Sequence, residues 1–407
     1  MKKKIILASG SRHTIPPINS SPGVARVIST LAENETKEIK YFVVSKYDKS
    51  IDNVDFDNLK YFHPKPTRIS NILGFILDKT PYRIKKKIFG FTQTDRIIYY
   101  RGFKKIIKEI NPDIIVTFMH IELFKILKKE FPKTKHIYFY RSTDIEGRLG
   151  LRNIQYLFKS CDGILANTKL AIEEFKKFNP IDKLLLETVY NAVELNNKLK
   201  LKDISLENTY RAKFNLNNKD FILGYAGRFS HEKSLLELLE AIYELKKKKI
   251  KVHLFIAGDI NNEKTPDLIY YENILKYVNC HLKDQVYFLG WINSDELFDF
   301  YSGIDLGILL SKYREGNSMF LTESLSVGTP VIATNIGGNI EIIQDNKNSF
   351  LIDNTDIVNN LVEKISFLYS NSKILQEVSI NAKEYAKKNH STKVMTKNFN
   401  SFIERFI

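Results

Sequence analysis

Cysteine is scarce in this chain, and long apolar runs are missing. Its 407 residues include only Cys161 and Cys280. That excludes a disulfide framework and a cysteine-rich zinc module and fits a reducing compartment. The run Ile5-Ile6-Leu7-Ala8 follows three lysines and stops at Ser9-Gly10. It is too short for the apolar region of a signal peptide and far too short for a membrane span. Its length and β-branched content read instead as the first buried strand of a sheet. No internal repeat or low-complexity segment stands out. The aromatic and zinc modules that read nucleic acids are missing as well, so no nucleic-acid partner is expected.

Basic charge is abundant and one-sided. The chain holds 62 Lys+Arg against 47 Asp+Glu. Residues 1–190 carry 35 basic and 20 acidic residues, whereas residues 191–407 carry 27 of each. The whole excess of +15 therefore lies in the first half. Two halves with different surfaces imply two different partners. The apolar fraction is ordinary for a folded protein, and the length suits two domains better than one.

Short apolar runs alternate with amphipathic segments. In the first half Ile5–Ala8, Ile39–Val44, Ile114–Phe118, His136–Phe139 and Gly163–Ala166 read as strands, and Gly23–Ala32, Phe103–Ile110, Leu123–Lys129 and Thr168–Phe178 as helices. The stretch from Asp48 to Tyr100 is irregular. In the second half Phe221–Ala226, Val252–Ala257, Gln285–Leu289, Ile304–Leu310 and Pro330–Thr334 read as strands, and Ser234–Leu245, Asp295–Tyr301 and Ser318–Ser326 as helices. This rhythm predicts an α/β protein of two doubly wound, Rossmann-like parallel sheets. The expected divisions are residues 1–195, 196–388, and a terminal helical segment 389–407 packing back on the first domain. Ligands of such sheets sit beyond the carboxyl ends of the strands, so two of them facing across a cleft would place motifs in the loops that follow strands.

Three motifs do lie there. Gly227-Arg228 and Lys233, in GRFSHEK, follow a strand and precede a helix. Gly227 suits a tight turn, and two cations near a helix start suit a diphosphate. Glu315 lies in the loop after Ile304–Leu310, and Glu323 stands eight positions on, inside the helix that Ser318 caps. Carboxylates beside a diphosphate site need hydrogen-bond donors, and sugar hydroxyls supply them. The expected division is one carboxylate for a hexose, one for a ribose, and the free amides between them for phosphate. Gly337-Gly338 with Glu341 would let the backbone approach a ligand closely.

In order and spacing these motifs resemble the retaining GT-B glycosyltransferases of glycosyltransferase family 4 (glycosyl transferases group 1). Gly227, Arg228, Glu232 and Lys233 are similar to its GR…EK motif. Glu315, Gly316 and Glu323 are similar to its E-G-x6-E. Gly328-Thr329-Pro330-Val331-Ile332-Ala333, followed by Gly337, Gly338 and Glu341, completes the set. The likeness is strongest from Phe221 to Asp353 and diffuse before Asp113. The chain departs from the family at three places: Ser21-Pro22-Gly23 offers one glycine of an expected pair, Asn191-Ala192 stands for Asn-Gly, and Asn317-Ser318 replaces Phe-Pro or Phe-Gly.

The resemblance implies a retaining transfer of a hexose from a nucleotide-sugar, most simply a UDP-sugar, to a hydroxyl of a glycan or lipid-linked acceptor in bacterial surface polysaccharide synthesis. It assigns Arg228 and Lys233 to the donor diphosphate, Met319 and Phe320 amides to its distal phosphate, Glu315 to the transferred sugar and Glu323 to the ribose. His120 would stand near the reacting sugar, and Gly23 would belong to the acceptor loop. With two cations in a divalent ion's place, no metal and no other cofactor is expected. The alternatives are a nucleotide-sugar epimerase, which needs no acceptor, and a non-catalytic carbohydrate-binding or coat-like protein.

From Arg68 to Lys108 eleven basic residues face only Asp78 and Asp95, and they are interleaved with Phe75, Tyr82, Ile84, Ile88, Phe89, Phe91, Tyr99, Tyr100 and Phe103. Basic and aromatic residues so mixed suit an anionic bilayer surface. The expected location is cytoplasmic, peripheral on the inner face of the cytoplasmic membrane.

Overall fold

A computed structural model describes residues 2–10, 14–15, 23–53, 57, 59–65, 72, 75–77, 79–81, 83–84, 94–178, 184–194, 209–260, 267–293 and 296–407. The chain divides into two compact units: Met1–Tyr190 with Thr396–Ile407, and Asn191–Met395.

The first unit is built on a parallel seven-stranded sheet. Its strands are β1 (Lys3–Ala8), β2 (Ile39–Val44), β3 (Tyr61–Phe62), β4 (Ile114–Phe118), β5 (Lys135–Tyr140), β6 (Gly163–Ala166) and β7 (Leu185–Thr188), in the order β3-β2-β1-β4-β5-β6-β7. The run Ile5-Ile6-Leu7-Ala8 is fully buried, because β1 pairs with β2 and β4 on its two sides and helices cover both faces of such a sheet. The helix expected at Phe103–Ile110 begins earlier, at Thr94. The final helix, Thr392–Glu404, gives its second half to this unit: Phe399 stacks on Phe139, and Tyr41 donates a hydrogen bond to Asn400.

The second unit repeats the plan with six parallel strands. They are β8 (Phe221–Ala226), β9 (Val252–Ala257), β10 (Val286–Gly290), β11 (Leu306–Leu309), β12 (Val331–Thr334) and β13 (Phe350–Ile352), in the order β10-β9-β8-β11-β12-β13. The helix read as Asp295–Tyr301 runs Leu297–Gly303, and residue 295 lies outside the described residues. Asp305 is structural. Its carboxylate accepts from Arg211 (2.7 Å) and from the Ile222 amide (2.8 Å), while Arg211 also donates to the Gly303, Asn217 and Asp220 carbonyls. The arginine is buried, and satisfying it with carbonyls and one carboxylate offsets its desolvation.

In each sheet the strand order reverses beside the unit's first strand, between β1 and β4 and between β8 and β11. Successive crossovers leave in opposite directions there, and the crevice that opens beyond the carboxyl ends is where doubly wound sheets hold ligands.

Among the buried histidines, His136 of the first unit and His390 of the second are held as neutral rings against backbone carbonyls. His136 places Nε2 2.9 Å from the Phe131 carbonyl, and His390 places Nδ1 3.2 Å from the Asn191 carbonyl. A carbonyl only accepts, so those nitrogens carry the protons. Burial pushes both rings from 6.5 down to about 4. Between those values the unfolded chain binds protons that the folded chain refuses. The stabilisation is complete above about pH 6.5 and is lost as pH falls toward 4, roughly 3 kcal/mol for each ring. The urea midpoint should therefore drop from about pH 7 to about pH 4.5, with a shallower drop in His136→Phe. A midpoint that stays level in the wild-type chain would show these rings to be solvated.

Candidate active site

The sequence motifs converge on the switch point of the second sheet. From the carboxyl end of β8 the chain runs through Gly227 and Arg228 to a 3-10 turn, His231–Lys233, and then into the helix Leu235–Lys247. From the end of β11 it runs through Ser311 to Glu315 and into the helix Met319–Val327. The two loops meet. The Lys233 ammonium is ion-paired with Glu315, and both side chains are about one-fifth exposed. Ser311 Oγ donates to the same carboxylate oxygen at 2.5 Å, and the Lys312 amide donates to the Glu232 carbonyl at 3.0 Å. A half-buried cation and carboxylate, 82 positions apart in sequence, neutralise each other at the mouth of the crevice.

Arg228 lies apart from that pair. It is exposed and pairs with Glu232 at 3.3 Å, while its carbonyl accepts from Tyr225. Gly227 bends the chain just past β8 without a left-handed φ, and an added Cβ would meet only the Tyr225 side chain, its hydroxyl at 3.2 Å. The constraint sits across the sheet at Gly258, where a Cβ would stand 2.4 Å from the Gly227 carbonyl oxygen.

Ser318 occupies the N-cap position of Met319–Val327 but makes no side-chain cap bond. The helix's first intrahelical donor is Thr322, to the Ser318 carbonyl, which leaves the amides of Met319 and Phe320 at the open end of the helix dipole. Glu323 is 2% exposed inside this helix, and the Tyr301 hydroxyl donates to it at 2.8 Å.

The Gly337-Gly338 pair serves the protein's own backbone. Gly337 has φ +62°, and a Cβ there would lie 2.4 Å from Glu315 O and 2.5 Å from Glu315 N. The Gly338 amide donates to the Glu315 carbonyl at 2.7 Å. These glycines seat the Glu315 loop.

In the first unit His120 follows β4 at that sheet's switch point. It is the N-cap of the helix Ile121–Glu130. Its ring lies over Gly10, just past β1, so closely that a Cβ on Gly10 would fall 1.8 Å from His120 Cδ2. The preceding Met119 takes a left-handed φ of +61°, and its sulfur accepts the Arg141 amide at 2.8 Å. Strain of this kind in a non-glycine residue persists only where the surroundings impose it, and here it aims His120 beside Gly10. Gly23 begins the helix Gly23–Glu33, and Ser21 and Pro22 before it lie outside the described residues.

Sequence reasoning missed Gly10, Ser311, Tyr301 and Gly258. Only Gly10 and Ser311 carried a signal, as the polar or small residues that end apolar strands. Among the described residues no group of three metal-ligating side chains occurs. An Asp-x-Asp triplet does exist in the first half, at Asp55-Phe56-Asp57. Asp55 and Phe56 lie outside the described residues, and Asp57 accepts from the Leu59 amide.

Several residues of the basic stretch also lie outside the described set, among them Arg68, Tyr82, Lys85, Lys86, Lys87, Ile88, Phe89 and Phe91. Of its other aromatics, Tyr99, Tyr100 and Phe103 are buried in the core against Ile6 and Phe42, and Tyr99 donates to the Ser9 carbonyl. They are not surface groups, because the Thr94–Ile110 helix turns that face to the sheet. Phe75 and Ile84 are exposed, as are Ile72 and Ile76.

Two successive Rossmann-like sheets with their polar loops at the switch points define the GT-B class of fold. Comparison with solved structures agrees: sucrose-phosphate synthase from Thermosynechococcus elongatus matches with a TM-score of 0.76 over 99% of both chains at 16% identity. Anabaena HepE in complex with UDP and glucose matches with a TM-score of 0.73 over 99% of this chain and 100% of that one at 15% identity. Residues 207–388 match the model of the glycosyl transferases group 1 family. A putative glycosyltransferase of Bacillus subtilis, YtcC, is 24% identical over 67% of this chain and 62% of its own length. The capsular polysaccharide biosynthesis glycosyltransferase CapM of Staphylococcus aureus is 24% identical over 52% of each. The chain thus spans between about half and two thirds of these curated relatives.

Replacing Gly337 by Ala forces a side chain against the Glu315 backbone in a left-handed conformation. It should lower stability by roughly 1–3 kcal/mol. Urea unfolding of Gly337→Ala checks this, and a wild-type midpoint would mean that the Glu315 loop yields freely.

Proposed function

We propose that this protein transfers a hexose from a nucleotide-sugar, a UDP-sugar, to a hydroxyl of a glycan or lipid-linked acceptor, with retention at the anomeric carbon. The observation that carries the reading is the Lys233–Glu315–Ser311 cluster at the β8/β11 switch point, beside a helix start with open amides. Breaking the donor bond puts negative charge on the leaving diphosphate. Lys233 and the amides of Met319 and Phe320 stabilise that charge, with Arg228 as an exposed second cation. Once diphosphate engages Lys233, Glu315 can accept from the hydroxyls of the transferred sugar. Glu323, oriented by Tyr301, takes the ribose. The UDP and glucose held by HepE support the donor class, and the capsular polysaccharide role in CapM's name supports a surface-glycan product.

Glu315→Ala should abolish transfer, a loss of roughly 10²–10³-fold or more from one well-placed polar contact, with the fold intact by circular dichroism. Lys233→Ala should chiefly weaken donor affinity. Wild-type turnover in the first, or an unchanged donor affinity in the second, would remove that residue from the site.

The exposed apolar side chains Ile72, Phe75, Ile76 and Ile84 lie among Lys79 and Arg83, with the Lys79 ammonium 4.3 Å from the Phe75 ring centroid. No helix among the described residues is long and apolar enough to cross a membrane. This patch supports peripheral attachment to the inner face of an anionic membrane, each Lys or Arg near the surface contributing about 1 kcal/mol. Flotation should recover the protein with phosphatidylglycerol vesicles at low salt and release it at high salt. Equal recovery with neutral vesicles, or none with either, would overturn the attachment.

A further inference from the structure

The carboxylate of Glu315 is held by Lys233 and Ser311, but its position depends on the backbone that carries it. That backbone is pinned on one side by Gly338, whose amide donates to the Glu315 carbonyl. Two residues later it is pinned again. Asn191 N donates to Asn317 Oδ1 at 2.7 Å, and Asn191 Nδ2 donates to Asn317 O at 2.5 Å. Both residues are buried, at 4% and 5% exposure, so water cannot replace either bond without opening the loop.

Asn191 is itself fixed. Its carbonyl accepts from the neutral ring of His390. Val193 donates to the His390 carbonyl at 2.9 Å, and Thr392 donates to the Val193 carbonyl at 3.1 Å. The segments 191–193 and 390–392 therefore form a short hydrogen-bonded ladder, and Asn191 offers the Glu315 loop two donors from its end. The donation to Oδ1 also sets the Asn317 amide: flipping it would face two donors against each other.

We propose that Asn191 is a positioning residue for Glu315, acting through the Asn317 side chain and carbonyl. The proposal rests on the transferase reading, since it assigns Asn191 the task of holding Glu315 where the transferred sugar binds. Asn191 keeps the family's asparagine, whereas Asn317 stands where the chain departs from the family pattern, and a phenylalanine there would have no side-chain acceptor for the Asn191 amide. The bond to Asn317 Oδ1 is thus a feature of this chain, and the pair couples the start of the second unit to the sugar-binding loop.

The test uses the full chain and whichever donor the wild type consumes from UDP-glucose, UDP-N-acetylglucosamine and GDP-mannose. Asn191→Ala and Asn317→Leu should each lower kcat by up to roughly 10²-fold, the effect of misplacing a reacting group by about 1 Å. Affinity for the free nucleoside diphosphate, measured by calorimetry, should stay at the wild-type value because Lys233 and the helix amides are untouched. Asn317→Asp keeps an acceptor for the Asn191 amide and should retain more of kcat than Asn317→Leu. Unchanged kcat, equal losses in the Asp and Leu variants, or diphosphate affinity falling in step with kcat would each overturn the positioning role, the last by revealing general loosening. A wild-type chain that binds and consumes none of the three donors would instead overturn the transferase reading on which the role rests.

Discussion

The second unit is organised around one ion pair. Lys233 and Glu315 come from loops that leave adjacent parallel strands in opposite directions. Neither charge would be stable alone in a half-buried crevice, since desolvation disfavours an isolated ion. Together, with Ser311 on the carboxylate, they keep a cation and an anion at the place where a doubly wound sheet opens. The crevice thus holds its charges in a neutral, hydrogen-bonded arrangement.

The surroundings explain why the pair forms there. Gly337 lets two backbones touch where any side chain would intervene, and Asn191 supplies two donors to the other flank of the loop. Tyr301 orients Glu323 within a helix whose opening amides are left uncapped. Farther away, Arg211 ties the segment before β8 to Asp305 at the entry to β11, so the two strands that launch the site are braced at their other end. In the first unit a different device operates at the equivalent point. Met119 is held in a left-handed conformation, and His120 lies on a glycine that has no room for a side chain.

Most of this architecture was legible in the chain, and the misses have a common cause. Central strands such as Ile114–Phe118 and Val252–Ala257 are buried on both faces and read as uninterrupted apolar runs. The strands not foreseen, Tyr61–Phe62, Leu185–Thr188 and Phe350–Ile352, are all sheet edges. An edge strand is short and partly solvated, and its pattern fades into that of a loop. The aromatic residues of the basic stretch misled for the opposite reason. Tyr99, Tyr100 and Phe103 resemble surface-seeking groups because lysines and arginines surround them, yet they share one helical face that packs on the core.

By itself the sequence determined the alternation of strand and helix, the division of charge between the halves, and the placement of Glu315 and Glu323 on one loop and helix and of Lys233 on another loop, because spacing within a strand–loop–helix unit is local and each loop follows its own strand. Only the tertiary structure decided which groups meet across those units: Lys233 with Glu315, Gly337 with the Glu315 backbone, Asn191 with Asn317, His120 with Gly10. Each contact joins residues that are far apart in sequence. It depends on which strands are neighbours in the sheet and on backbone approaches of a few ångströms, and no pattern of residue types along the chain encodes those distances.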